Sequence, residues 1–307
     1  MIEGRERRRR LRAGIARLAD PKITLASVAS MLVGACAAAA GGPLSWGWLA
    51  VTVLGIFCVE AAKNASGEIF DFDSGTDQAV ADEDRSPFSG GKRVLVERIL
   101  TKTETAAIAG VFYALGIAAG LVVAFGRERA VLWFGAAGVA LAYGYHAPPA
   151  KLSYRGLGEA AVALTYGPLI ACGTFLVQRH AVSSGVVLAS LPIGLLIGAF
   201  LLANEFPDRK ADAVAGKRTL VVRLGPRAAS RLFAGVVAAA FATLAALPAA
   251  GLPAGVWLGA IGLPTGVAAA RQVVRSPEIT SGIVPAQASM LVTFLLAAAG
   301  IGAGLLL

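Results

Sequence analysis

The sequence predicts an all-α polytopic membrane protein, a bundle of about nine transmembrane helices. Of its 307 residues, 56% are hydrophobic and only 15% are charged, with a mean hydropathy of +0.69, whereas soluble domains carry about 25% charged residues. Apolar stretches that reach the roughly 20 residues needed to cross a bilayer recur along the chain. They do not alternate as barrel strands do, and helices satisfy every backbone polar group in hydrocarbon. A disordered chain, a coiled coil and a conventional soluble enzyme are therefore excluded.

Nine apolar stretches mark the predicted helices, and they are rich in Ala, Gly, Leu and Val. The chain holds 37 Gly, and such small residues let helix backbones approach closely in lipid, where no hydrophobic force drives helices together. We predict a basic N-terminal segment, residues 1–21, followed by a single transmembrane domain, residues 22–307. The predicted spans are 22–43, 46–66, 104–125, 130–147, 158–177, 185–206, 230–250, 253–270 and 286–307.

The basic residues predict how these spans are oriented. With the N-terminus in the cytoplasm, 25 of the 28 Lys and Arg residues fall on the cytoplasmic side and three on the other side. This asymmetry follows the positive-inside rule. It also explains the net charge of +9 without a nucleic acid, which we do not expect as a partner. We expect an integral protein of the cell (inner) membrane, with the lipid bilayer as a partner and with the N-terminus and the active site on the cytoplasmic side.

The first of two acidic clusters follows the second predicted span. Glu60, Asn64, Glu68 and Asp71 are separated by steps of four, four and three residues, so they share one face if the helix continues through them. Asp77 follows on a turn. The cluster lies on the side that the basic residues assign to the cytoplasm.

The second acidic cluster follows the sixth predicted span, also on the cytoplasmic side. Asn204, Asp208 and Asp212 are separated by steps of four residues and therefore lie close together on a helix surface. Pro207 lacks a backbone N–H and is expected to kink or restart the helix just before Asp208.

Carboxylates crowded on a helix face repel one another unless a divalent cation lies between them. Oxygen ligands without His or Cys favour Mg²⁺, which binds through one or two carboxylates together with substrate phosphates. Two acidic helix ends that face each other therefore predict Mg²⁺ ions that hold a diphosphate. The nearby cations that can neutralise the remaining phosphate charge are Lys63, Arg85, Lys92, Arg93, Lys151, Arg155, Lys217 and Arg218.

Four blocks resemble the UbiA superfamily of intramembrane aromatic prenyltransferases and, within it, the 1,4-dihydroxy-2-naphthoate polyprenyltransferases of the menaquinone branch. The block EIFDFDSGTD is similar to the first Asp-rich motif of that branch, typically NDYFDYxxGxD. DRSPFSGGKRV resembles the stretch after it, and YHAPPAKLSYRGLGEAAVALTYGPLIACGTFLVQ resembles the loop and span between the two sites. NEFPDRKADAVAGKRTLVVRLG resembles the second motif and its tail. Together the blocks cover most of residues 60–225.

The resemblance implies Mg²⁺-dependent transfer of a prenyl chain from a polyprenyl diphosphate to an aromatic acceptor such as 1,4-dihydroxy-2-naphthoate, with release of diphosphate. The allylic carbon becomes cation-like and is attacked by the electron-rich ring. The metal ligands it implies are Glu68, Asp71, Asp77, Asp208 and Asp212. The candidate catalytic residues are Asp71, Asp208, Asp212, Lys151 and Tyr154. The candidate substrate-binding residues are Asn64, Arg85, Lys63, Lys151, Asn204 and Lys217.

The first motif departs from the family pattern at its opening, where Gly67 and Glu68 replace the usual Asn-Asp pair. Glu68 still offers a carboxylate, one methylene longer, and Asn64 lies one turn earlier as a replacement for the missing Asn. Of the two histidines, His146 lies at a span end and ranks below the carboxylates as a substrate contact.

Two alternatives stay open at this point. The first keeps the enzyme family and changes the acceptor to 4-hydroxybenzoate, homogentisate or a lipid alcohol, since the Asp clusters would look alike. The second is a cation-coupled transporter, whose carboxylates belong near mid-membrane on broken helices. The predicted carboxylates instead lie at span ends, which favours the enzyme.

Overall fold

A computed structural model describes residues 2–307 of the chain, and the side chains of all of these except 2–4 and 21–23. Every regular element in this part of the chain is helical, which confirms the predicted class. The α-helices are α1 (Ile2–Ala19), α2 (Pro21–Ala40), α3 (Trp46–Asp73), α4 (Thr76–Ala79), α5 (Lys102–Gly126), α6 (Val131–Gly144), α7 (Gly158–Leu164), α8 (Ile170–Arg179), α9 (Ser184–Val214), α10 (Leu220–Leu224), α11 (Pro226–Ala246), α12 (Leu263–Arg275) and α13 (Thr280–Leu306). Short 3₁₀ segments cover Asp82–Asp84, Leu152–Arg155, Pro248–Ala250 and Ala254–Gly262.

Six helical segments of the described chain are long and apolar enough to cross a membrane, which makes this an integral membrane protein. Five of them are α3, α5, α9, α11 and α13, and the sixth, Gly158–Arg179, joins α7 to α8 through one π turn. A seventh is formed if Arg5–Ala19 and Thr24–Ala40, which are bent by 51°, count as one span. The predicted fourth span corresponds to α6, which has only 14 residues. The count of nine spans is therefore not confirmed.

Small residues bring the helices together, as their abundance in the sequence indicates. A Cβ atom on Gly34 of α2 would clash with the carbonyl oxygen of Ala171 on α8. One on Gly194 of α9 would clash with the carbonyl oxygen of Ala163 on α7. Contacts this close maximise van der Waals attraction between helices in lipid. The core lies mainly along α9, α11 and α13, where the fully buried side chains include Ile193, Leu196, Phe233, Met290 and Phe294.

The expected restart of the helix at Pro207 is wrong, because α9 continues through Pro207 to Val214. A proline inside a helix leaves the carbonyl of the residue four positions earlier without its donor. Here that carbonyl belongs to Ala203, and the side-chain amide of Gln287 on α13 donates to it at 3.5 Å. A donor from a neighbouring helix thus replaces the missing backbone donor and helps α9 to continue as one helix.

Two long helices carry the acidic clusters to the same end of the bundle. Asp71 lies two residues before the end of α3, and Asp212 lies two residues before the end of α9. The loops that follow these helices, together with the loop between α6 and α7, cover this end. The site is therefore assembled where long helices give way to loops.

Candidate active site

Asp71 lies at the centre of the polar cluster. Its Oδ1 atom accepts a hydrogen bond from the Tyr154 hydroxyl at 2.9 Å. Its Oδ2 atom lies 3.5 Å from Lys217 Nζ and 3.6 Å from His146 Nε2. Tyr154 and His146 come from the loop between α6 and α7, and Lys217 follows α9. Three regions far apart in sequence therefore meet at one carboxylate.

Lys217 joins the two acidic clusters. Its ammonium lies 3.5 Å from Asp71 Oδ2 and 3.6 Å from Asp212 Oδ1. Its own backbone N–H donates to the Asp212 carbonyl at 2.8 Å, which fixes the turn after α9. Burial lowers the pKa of Lys217, but Asp212 and then Asp71 outweigh burial and hold that pKa well above its ordinary value. The predicted convergence of the two clusters is thus present in the structure, with a lysine between them.

A glycine turn packs against the next two carboxylates. The Gly90 N–H donates to Asp208 Oδ2 at 3.1 Å, and a Cβ atom on Gly91 would clash with Asp77. Both glycines have positive φ angles, 85° and 74°, which favour glycine over other residues. Burial, and then the nearby carboxylates of Asp71 and Glu68, raise the pKa of Asp77 to about 8.

Glu68 holds the same turn in place. Its Oε2 accepts from the Lys92 N–H at 3.1 Å and its Oε1 accepts from the Leu95 N–H at 3.0 Å. The Glu68 side chain, one methylene longer than that of aspartate, therefore accepts hydrogen bonds from backbone donors of the loop. As a metal ligand Glu68 stays a prediction, and its observed partners give it a structural role as well.

The cluster offers oxygen ligands suited to a hard divalent cation. Among the described residues, the buried side-chain oxygens without a hydrogen-bond partner include Asp77 Oδ2, Asn204 Oδ1, Asp208 Oδ1 and Asp212 Oδ1. Buried polar atoms are normally satisfied, so orphaned carboxylate oxygens point to a ligand. Oxygen donors of this kind fit Mg²⁺. In the arrangement that the described residues adopt, no three His, Cys, Asp or Glu side chains are grouped tightly enough to hold one ion.

An apolar cavity of about 610 Å³ lies next to this cluster, between α3, α5, α6 and the α7–α8 segment. Its walls are aliphatic and aromatic, and its charged groups are Glu60 and Lys63. The Tyr166 hydroxyl donates to Glu60 Oε1 at 2.8 Å, and Lys63 Nζ lies 5.3 Å from the centre of the Tyr145 ring. Tyr145 lines the cavity and packs edge-on against His146, which touches Asp71. The cavity and the carboxylate cluster are therefore adjacent.

The structure separates the remaining predicted residues. Lys151 lies near the cluster, with its ammonium 5.2 Å from the centre of the Tyr154 ring. Asn64 instead donates to the Leu18 carbonyl of α1 at 2.9 Å. Arg85 is half exposed and pairs with Asp82 at 2.7 Å. These contacts leave the substrate-binding roles of Asn64 and Arg85 as predictions, with observed partners outside the carboxylate cluster.

Sequence reasoning gave His146 too little weight. The ring is buried beside Asp71, and burial lowers the pKa of His146 to about 4. A neutral imidazole is therefore part of the site at neutral pH. The sequence signal was its position in the loop that also supplies Lys151 and Tyr154.

Glu159 and Glu205 form a second set of buried acids that the sequence analysis did not select. Glu159 Oε1 accepts from the Leu220 N–H at 3.1 Å, and the Oε2 atoms of both glutamates are buried without a hydrogen-bond partner. Glu205 follows Asn204 directly and so falls off the face defined by steps of four. Only the fold shows that it is buried near the cluster.

Known proteins share both sequence and fold with this chain. The model of the UbiA prenyltransferase family matches residues 27–295. A 1,4-dihydroxy-2-naphthoate octaprenyltransferase from Mycobacterium tuberculosis is 30% identical over 223 residues, which are 72% of this chain and 73% of that protein. UbiA prenyltransferase domain-containing protein 1 from Dictyostelium discoideum is 30% identical over 197 residues, and the match spans 61% of this chain but only 56% of that relative.

A solved structure has the same fold at low sequence identity. The UbiA homolog from Archaeoglobus fulgidus, bound to GPP and Mg²⁺, aligns with a TM-score of 0.61 at 15% identity, covering 94% of this chain and 99% of that one. The helical bundle described above is therefore an established membrane-protein fold.

Proposed function

The chain belongs to the UbiA prenyltransferase family, and from this premise we propose that it transfers a prenyl chain from a polyprenyl diphosphate to an aromatic acceptor such as 1,4-dihydroxy-2-naphthoate. The observation that carries the proposal is the meeting of two acidic clusters at Lys217, beside an apolar cavity. The acidic clusters are suited to bind the Mg²⁺ that holds a diphosphate headgroup, and the apolar cavity is suited to an isoprenoid tail. We also propose, from the distribution of the basic residues, that this end faces the cytoplasm and that the membrane is the cell (inner) membrane.

Asp77, Asp208 and Asp212 are the residues that would hold Mg²⁺, because each has a buried oxygen without a hydrogen-bond partner. When bound, the ion would neutralise charge that develops on the leaving diphosphate. The Archaeoglobus homolog was solved with GPP and Mg²⁺ bound, which supports the use of a divalent cation. Lys217, beside Asp212, and Lys151, over the Tyr154 ring, would supply positive charge for the phosphate oxygens.

Tyr154 would orient one carboxylate and face the developing cation. Burial, and then the Asp71 charge, raise the pKa of Tyr154 to about 12, so its hydroxyl stays a donor to Asp71. Two ammonium groups already lie over its ring, Lys151 at 5.2 Å and Lys217 at 5.7 Å. A ring face that attracts cations also favours an allylic carbon with cationic character.

The cavity would receive the isoprenoid chain and the acceptor ring. Its aliphatic walls exclude water, which otherwise captures a carbocation. Lys63 lies within these walls over the Tyr145 ring, where it can pair with a carboxylate or phenolate of the acceptor. The proposed acceptor, 1,4-dihydroxy-2-naphthoate, carries both kinds of group.

Transfer of a radiolabelled prenyl chain in membranes tests the function. With 1,4-dihydroxy-2-naphthoate and Mg²⁺, a labelled prenylated product is expected. This product should be absent after addition of EDTA and in the Asp208→Ala variant. Parallel assays with 4-hydroxybenzoate, homogentisate and a lipid alcohol compare the acceptors. Transfer that survives both EDTA and Asp208→Ala would contradict the mechanism, and cation uptake by proteoliposomes without any prenyl transfer would favour the transporter.

A further inference from the structure

Helix α1 presents two different basic faces. Arg7, Arg10, Gly14 and Arg17 repeat at steps of three and four residues and lie on the face that contacts residues 97–104, at and before the start of α5. A second set of arginines is exposed on the opposite face of the helix. These exposed arginines, which we call the outer arginines, are Arg5, Arg8, Arg9 and Arg12.

The face of α1 that carries Arg10, Gly14 and Arg17, which we call the inner face, packs against the segment 92–104. Arg10 pairs with Glu104 at 2.6 Å and also donates to the Ile99 carbonyl at 2.8 Å. Arg17 pairs with Glu97 at 2.6 Å. A side chain larger than hydrogen at Gly14 would collide with Leu100, which shows how closely the two pieces pack.

The segment 92–104 is continuous with the turn that holds the carboxylate cluster. The Lys92 and Leu95 N–H groups bind Glu68, and the Gly90 N–H binds Asp208. Arg93 donates to the Asp77 carbonyl at 3.0 Å. A displacement of α1 would therefore be transmitted to residues beside three carboxylates of the proposed active site.

The outer arginines are placed for a membrane surface. Helix α1 leads directly into α2, which packs within the transmembrane bundle, and the two helices are bent by 51°. Clustered arginines beside a span are attracted by the phosphate groups of anionic lipids, and guanidinium binds phosphate through paired hydrogen bonds.

We propose that the outer arginines bind the headgroups of anionic phospholipids, and that this binding holds α1, and through it the segment 90–104, against the active site. Anionic lipid then raises the rate of prenyl transfer by ordering that segment. The proposal concerns regulation of the site, and its statement about prenyl transfer rests on the proposed function.

Hydrogen exchange of residues 90–104 tests the proposal without any activity measurement. The full chain is placed in nanodiscs of phosphatidylcholine, with or without phosphatidylglycerol. We expect exchange to slow about fivefold with phosphatidylglycerol, the factor for one basic contact with an anionic surface. A variant with Arg5, Arg8, Arg9 and Arg12 changed to Gln should lose this effect.

A matched variant controls for charge alone. Arg227, Arg231, Arg271 and Arg275 are also exposed, on α11 and α12, and their change to Gln removes the same four charges. This control should keep the lipid-dependent protection. Equal loss of protection in both variants, or equal protection by inorganic phosphate in phosphatidylcholine nanodiscs, would overturn the proposal.

Prenyl transfer in the same nanodiscs supplies a second measurement. Phosphatidylglycerol should stimulate the natural chain and the control variant but not the outer-arginine variant, whose rate in phosphatidylcholine alone should be unchanged. Lipid-dependent protection without transfer in any lipid would refute the proposed function and leave standing only the binding of anionic lipid by the outer arginines and the ordering of residues 90–104. Prenyl transfer whose rate does not depend on phosphatidylglycerol would support the proposed function and refute the regulation by anionic lipid.

Discussion

The carboxylates at the end of α3 accept hydrogen bonds from donors of the protein, whereas Asp208 and Asp212 on α9 each keep a buried oxygen without a hydrogen-bond partner. Glu68 accepts two backbone N–H groups, and Asp71 accepts the Tyr154 hydroxyl. On α9, Asp208 accepts one N–H through Oδ2, and the Oδ1 atoms of Asp208 and Asp212 have no hydrogen-bond partner, although Asp212 Oδ1 lies 3.6 Å from Lys217 Nζ. The carboxylates at the end of α3, the first half of the site, therefore hold the loops in place. The carboxylates on α9, the second half, leave more of their oxygens available to a ligand.

This difference matches the departure of the first motif from its family pattern. Glu68 stands where the resemblance expects aspartate, and its longer side chain reaches the 92–95 turn. Asp77 and Glu60 are exceptions in the first acidic cluster, because Asp77 Oδ2 and Glu60 Oε2 are buried without a hydrogen-bond partner. Substitutions in the second half should therefore affect catalysis most, and substitution of Glu68 should affect folding as well.

The largest effect is expected for Asp208→Asn. It removes the charge that would hold Mg²⁺ but keeps an acceptor for the Gly90 N–H. Prenyl transfer should fall by about 100- to 1000-fold, the usual loss when one electrostatic contact to the transition state is removed. Asp84→Asn is the control, because Asp84 is buried but pairs with Lys210 and Thr280. Similar rates for both variants would contradict a special role of α9.

Glu68→Ala is expected to weaken the fold and activity together. It leaves the Lys92 and Leu95 N–H groups without their acceptor, at a cost of about 1–3 kcal/mol for each buried donor. Thermal unfolding in detergent measures this loss, and Glu83→Ala at an exposed position is the control. If Glu68→Ala abolished transfer while the unfolding temperature stayed unchanged, Glu68 would act as a ligand rather than as a loop anchor.

His146 should make stability depend on pH. Its pKa is lowered to about 4 in the folded protein, while the unfolded chain takes up a proton near pH 6.5. The folded state therefore binds fewer protons between these values, and the free energy of unfolding falls as pH drops from about 6.5 towards 4. His146→Gln should lose less stability over this range in EDTA, whereas His180→Gln, at an exposed position, should resemble the natural chain. Equal pH dependence in all three proteins would refute this role.

The fold class and the pairing of the acidic clusters could be predicted because each depends on local pattern. Apolar stretches identify helices, and steps of four residues bring Asp208 and Asp212 to one surface of α9. The number of spans could not be predicted, because α6 is short and the chain before α12 is a 3₁₀ segment. Periodicity cannot separate these from full-length membrane helices.

Contacts between distant residues account for the parts of the site that were missed. Periodicity grouped Asn64 with Glu68 and Asp71, but the Asn64 amide binds the Leu18 carbonyl, 46 residues earlier. Helix α9 continues through Pro207, where Gln287 of another helix donates to the Ala203 carbonyl. His146 reaches Asp71 only because the loop after α6 folds over the end of α3. None of these partners is encoded in local spacing.

Arg85→Gln gives the smallest expected effect and sharpens the contrast with residues of the carboxylate cluster. Arg85 is half exposed and pairs with Asp82, which is largely exposed, and such surface pairs contribute about 0–1 kcal/mol. Both kcat and KM for the prenyl diphosphate should therefore stay within about twofold of the natural values. Lys217→Gln, measured in parallel, should raise that KM, because its ammonium lies between Asp71 and Asp212. A larger rise in KM for Arg85→Gln than for Lys217→Gln would mean that the loop carrying Arg85 moves onto the diphosphate when substrate binds.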